Sequence, residues 1–90
     1  MKRIEFNKEK SKNLKKDRGI SFEKVSLIIK RKGFIGIVEH PNKKRYPKQR
    51  MYLVKIEEYI FIVPFVEDEE KIFLKTIYPS RKHTKKYLNK

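Results

Sequence analysis

The sequence predicts an α+β fold: two N-terminal helices, a four-stranded antiparallel sheet, and a short C-terminal helix. Three observations carry this. Residues 7–18 contain no glycine, proline or β-branched residue, which suits a helix. After Gly33 the apolar spacing changes from helical to short β-rich runs. The last of these runs stops at Pro79-Ser80 and releases into a tract with Arg81, Lys82, Lys85 and Lys86 and no acid.

In the first helix, predicted over 7–18, Asn7 can cap the first turn and Gly19 can end the last turn in the left-handed conformation. Its apolar content is essentially Phe6 and Leu14, so most of its surface meets solvent or a charged partner. Ser21 is a second N-cap candidate, followed by Phe22, Val25, Ile28 and Ile29 on one helical face. That helix runs to about Arg31, with Ile20 placed to staple onto its first turn. Strands are predicted over 34–39, 50–56, 59–66 and 72–78. The acidic breaks at Glu57-Glu58 and 67–70 fit hairpin turns, whereas 40–48 is a longer loop containing Pro41 and Pro47. Residues 60–65 are apolar almost throughout and suit a central strand, which puts Pro64 at a bulge or beside an unpaired position. Pro79 ends the fourth strand, and Ser80 or Thr84 can cap a final helix reaching Leu88. With no internal repeat or linker, residues 1–90 are expected to form one domain, burying only about 60% of the surface the chain exposes unfolded.

Hydrophobic residues make up 38% of the chain and charged residues 40%, enough for one small core but not for a deep small-molecule pocket. There is no cysteine, and the two histidines lie far apart in sequence, so neither a disulfide nor a metal centre is expected, and no cofactor. The start, Met1-Lys2-Arg3-Ile4-Glu5-Phe6, is basic without an apolar stretch behind it, and no run approaches ~18 apolar residues. A cytoplasmic protein without a membrane partner is the expectation.

The formal charge of +14 and the pI near 10.1 imply self-repulsion that a polyanion or an acidic protein would relieve. Charge is also segregated. Six of the eleven acids sit in the two hairpin turns, while cations crowd residues 8–18, the 40–50 loop and 81–90. Tyrosines are interleaved with those cations, and single-stranded RNA suits this composition because bases stack on rings while cations hold phosphates. The candidates for RNA contact are Lys43, Lys44, Arg45 and Arg50 in and after the loop, with Tyr78, Lys82 and Lys85 near the C-terminus. The plainer alternative is that tyrosine is a common strand residue and a lysine-rich surface needs no nucleic acid.

RNA can be cut without metal when one group takes the 2′-hydroxyl proton, cations stabilise the phosphorane, and an acid protonates the departing 5′-oxygen. Arg81, two residues past Pro79, offers a bidentate fork to a phosphate, with the alternative of a surface cation at a helix start. His83 is the acid–base candidate, since surrounding cations should favour its neutral form, or it is a solvated polar residue on a basic helix. His40, in Glu39-His40-Pro41-Asn42, reads as a turn anchor. No phosphate-binding glycine loop or nucleophilic triad is present.

Phe6-Asn7, Asn13, Lys16 and Arg18-Gly19-Ile20-Ser21-Phe22 resemble the opening F-x-W-D…N…K-H-G-V-S-F of BrnT toxins, and residues 77–87 resemble their closing I-I-S-A-R-R-A-T…Y. The likeness spans most of the chain, with the middle matching as a strand pattern. It implies a RelE-like fold and a type II toxin–antitoxin module in which the toxin is an endoribonuclease that cleaves mRNA until a cognate antitoxin protein blocks it. By position it implies roles for Lys16 and Arg81, with Lys82 and Thr84 beside the latter. The chain carries Arg18 where the family has histidine before the glycine, and His83 where it has alanine. Two other readings remain: a non-catalytic RNA- or ribosome-binding module and, less well matched for want of a helix-turn-helix, a DNA-binding factor.

Overall fold

A computed structural model describes residues 2–88; Met1, at the basic start, and Asn89 and Lys90, at the end of the basic tail, lie outside the described residues. In chain order the elements are β1 (Arg3–Phe6), α1 (Lys8–Arg18), α2 (Phe22–Lys30), β2 (Phe34–Glu39), β3 (Arg50–Ile56), β4 (Tyr59–Glu67), β5 (Lys71–Leu74), β6 (Tyr78–Pro79) and α3 (Arg81–Leu88). The architecture is α+β, as expected, but the sheet is mixed and has six strands among the described residues, not four antiparallel ones. Its order is β1-β5-β4-β3-β2, with β6 beside β4.

Two differences account for the extra strands. Residues 3–6 pair in parallel with β5, Arg3 opposite Lys71 through Phe6 opposite Leu74. A four-residue alternation of Arg, Ile, Glu and Phe is too short to announce a strand by itself, and burial of Ile4 and Phe6 against the core supplies the reason it forms. The fourth predicted run, 72–78, is broken at residues 75–77 into β5 and β6. Pro64 lies opposite that gap. Its carbonyl accepts from the Lys75 N–H at 2.8 Å, so its nitrogen, on the same side of the strand, faces the interruption, where the ladder needs no donor.

Helix ends follow the residues predicted to make them. Asn7 accepts from the Lys10 N–H at 2.9 Å and Gly19 closes α1 at φ 72°. Ser21 accepts from the Lys24 N–H at 3.2 Å, while Ile20 and Val25 are buried in one cluster, as a staple requires. The C-terminus of α2 is a Schellman motif, in which the Gly33 N–H reaches Ile28 O at 2.8 Å and the Lys32 N–H reaches Ile29 O at 3.0 Å. Lys32, not the glycine, takes the left-handed position at φ 56°. Gly33 serves close approach instead: a Cβ there would stand 3.3 Å from Ile28 Cγ2.

The period-2 alternation of the central strands builds two cores. Tyr52, Val54, Ile56, Val63 and Phe65 face α1 and α2, where Phe22, Val25 and Ile29 meet them. Met51, Leu53, Ile60 and Ile62 face the other way, under Tyr78 and Leu88. α1 and α2 are clasped by Ser11, whose hydroxyl accepts from the Phe22 N–H at 2.9 Å and donates to Glu23 at 2.6 Å. Among the described residues no helix is long and apolar enough to cross a membrane.

Candidate nucleic-acid interface

α3 is fixed to the sheet by a backbone N–H and a side-chain hydroxyl. The Ser80 N–H donates to Ile60 O at 2.9 Å, and Thr84 Oγ1 accepts from the Ile60 N–H at 2.9 Å while donating to Ser80 O at 2.7 Å. Thr84 and Leu88 therefore face β4, and at 100° per residue Arg81 and Lys85 emerge on one flank of that buried line, His83 and Tyr87 on the other. Arg81 and His83 are thus about 160° apart around the helix.

The Arg81 flank opens onto a groove. Three adjoining hollows of about 300, 520 and 220 Å³ share Tyr59 as a wall. The first is completed by Arg81, Thr84 and Lys85, the second by Arg18, Phe61 and Pro79, and the third by Arg18, Gly19, Lys24, Ile56 and Glu57 among others. Tyr59 and Phe61 lie one strand repeat apart, half-buried, with ring centroids 5.8 Å apart in an edge-to-face arrangement. Cations from the two ends of the chain, Arg18 and Arg81, thus line hollows that share the Tyr59 ring. Neither joins an ion pair among the described residues, and neither do Lys24 and Lys85.

Arg18 reaches this place because Ser11, Leu14 and Arg18 follow helical i, i+3, i+7 spacing, so the arginine ends the face that packs on the sheet. Lys16 is exposed on the far side of α1. Neither Arg18 nor Tyr59 stood out in the sequence as a contact residue. The hint for Arg18 was its place where the BrnT opening has histidine.

The other candidates fall elsewhere. Loop 40–49 enters β3 at Arg50, and the groove lies beyond Ile56, so the two are separated by about 20 Å at 3.3 Å per residue. In the loop, His40 Nδ1 accepts from the Asn42 N–H at 3.0 Å, the turn-anchoring role expected of it, and its ring lies 4.5 Å from that of Tyr46. Lys43 is ion-paired with Glu39, whose carboxyl is held below the usual range by that hydrogen bond and charge, while Arg45 lies over Tyr46. Lys44 is exposed. Arg50 pairs with Glu67 and covers Phe65, its guanidinium 5.3 Å from the ring centroid. Tyr78 is half-buried on the second core, its hydroxyl directed at Met51 Sδ at 3.8 Å, and burial pushes the phenol above its ordinary pKa. Lys82 is exposed on α3.

His83 Nδ1 lies 2.8 Å from Ser80 Oγ, which also accepts the His83 N–H at 3.2 Å and so caps α3. Its ring runs parallel to that of Tyr87 at 6.3 Å. Burial, then Lys82 and Lys86, lower its pKa from 6.5, so the neutral form dominates at pH 7. Among the described residues no group of three or more His, Asp or Glu side chains is placed to hold a metal ion. No family model, curated protein or solved structure matches the chain.

Proposed function

We propose that this chain is an RNA-cleaving toxin of the BrnT kind, a metal-independent endoribonuclease whose substrate lies in the groove between α1 and α3, with an antitoxin protein covering that face. The observation carrying this reading is that Arg18 and Arg81, with Lys24 and Lys85, line adjoining hollows that share the Tyr59 ring, with Phe61 beside it on the Arg18 side. A base stacked on a ring leaves its phosphates within reach of cations on both sides, the arrangement single-stranded nucleic acid requires. Arg81, at the first position of a helix anchored to β4, projects from a fixed frame and can meet charge that develops on the phosphorane as the 2′-oxygen attacks and the 5′-oxygen leaves.

Binding without cleavage is the second reading, favoured by the position of His83. The group best suited to proton transfer near neutrality lies across α3 from Arg81 and is engaged with Ser80. Incubating purified protein with single-stranded RNA in EDTA separates the two. Products ending in a 2′,3′-cyclic phosphate and lost in Arg81→Ala support the toxin reading; intact RNA that stays bound supports the second. Absence of binding at low salt by folded protein contradicts both.

A further inference from the structure

The turn joining β3 to β4 is built against its own backbone preference. Ile56 pairs with Tyr59, leaving Glu57 and Glu58 as a two-residue loop, and both have positive φ, 50° and 65°. Such turns favour Asn-Gly or Gly-Gly, because a side chain in the left-handed region costs about 1–2 kcal/mol per residue. An acid in so basic a groove also weakens its hold on phosphate. A residue that opposes both local rules marks a place to look for function.

Glu57 lines the 220 Å³ hollow, next to the rings of Tyr59 and Phe61 and flanked by Arg18 and Lys24. It is exposed and joins no ion pair among the described residues, so its carboxylate is free to accept hydrogen bonds. A hollow with an aromatic wall, cations at its rim and one acceptor-only group has the parts to take a nucleobase by its face and its edge. Among the four RNA bases, guanine alone presents two donors side by side on its Watson–Crick edge, N1–H and the N2 amino group, matching the two oxygens of a carboxylate. Adenine, cytosine and uracil each offer one donor there, next to an acceptor that the carboxylate repels.

We propose that Glu57 makes this hollow a guanine subsite, so that the groove prefers single-stranded RNA with a guanine beside the phosphate held by Arg18. This rests on the groove being the RNA site. It adds base selection to a surface whose other contacts, rings and cations, are indifferent to sequence.

The test uses uncleavable 2′-O-methyl oligouridine pentamers whose central base is G, A, C or U, titrated against wild type, Glu57→Gln and Glu58→Gln with matched melting curves. Glu58→Gln makes the same charge change in the same turn at a residue that does not line the hollow. Wild type and Glu58→Gln should bind the G pentamer about tenfold more tightly than the others, the scale of one good bidentate base contact. Glu57→Gln should lose that preference while binding the A, C and U pentamers at least as well. Equal affinity of wild type for all four, or a guanine preference that survives in Glu57→Gln, would overturn the proposal while leaving the groove as the RNA site. Absence of binding to all four at low salt would overturn both.

Discussion

Thr84 carries more structure than its size suggests, since a single hydroxyl satisfies the buried Ile60 N–H and the Ser80 carbonyl and so sets the angle at which Arg81 leaves the sheet. Thr84→Val keeps the shape and strands the Ile60 N–H, so urea unfolding should show a loss of about 1–3 kcal/mol. His83 makes a separate contribution through its lowered pKa. Between the folded and unfolded pKa values the unfolded state binds more protons, so stability rises with pH there. That contribution is complete above the ordinary value of 6.5 and is lost as pH falls through the lowered folded value. Carboxylates held low by hydrogen bonds, Glu23 by Ser11 and Asp68 by the Glu70 and Lys71 N–H groups, lose their contribution only at more acid pH, below their ordinary 4.5 and 3.8. Denaturant midpoints should therefore drop between pH 7.5 and 5 in wild type and drop less in His83→Gln; equal slopes would mean that the imidazole is not held neutral by the fold.

At the scale of elements, the caps were legible in the sequence because their chemistry is local. Asn7, Gly19, Ser21 and Ser80 each act within a few residues of their own position. β1 was not legible, because its reason for being a strand is a partner more than sixty residues away in β5. The gap at 75–77 was hidden for a similar reason: Ile77 is buried and keeps the apolar pattern running across a break in pairing. Arg81 was found through its place after the strand-ending Pro79-Ser80, whereas Tyr59 looked like an ordinary strand residue until the fold set it between α1 and α3. Backbone strain gives this scale its own test. Lys32 holds the left-handed position of the α2 cap, so Lys32→Gly should raise unfolding stability by about 1 kcal/mol, read as a higher denaturant midpoint. A decrease would mean that the lysine side chain contributes more than its backbone costs.

Over the whole molecule, charge is cancelled more fully at one end of the sheet than at the other. Around the β4–β5 turn, Lys2 and Arg50 meet Glu67, Arg3 meets Glu5 and Glu70, and Lys71 meets Glu5. Around the β3–β4 turn, Lys55 meets Glu58 and Glu57 lies in the groove, but Arg18, Lys24, Arg81 and Lys85 form no ion pairs among the described residues. With a net charge of +14, four unpaired cations against one groove carboxylate, Glu57, leave a basic stripe where the rings are. RNA affinity should fall steeply with salt, with a log–log slope of roughly −0.7 per phosphate contact on single strands. An acidic antitoxin bound only to the folded state should raise the melting temperature, and no change at saturating partner would contradict its docking on this face.

The groove's claim is tested most directly by comparing the salt dependence of RNA binding for wild type, an Arg18→Ala/Arg81→Ala variant, and a Lys43→Ala/Lys44→Ala variant from the opposite end of β3. The groove variant should bind weakly at every salt concentration with a slope shallower by about 1.4, two contacts at roughly 0.7 each, while the loop variant stays close to wild type. Loss of affinity and slope in the loop variant, with the groove variant unchanged, would contradict the account and move the RNA to the other end of the sheet.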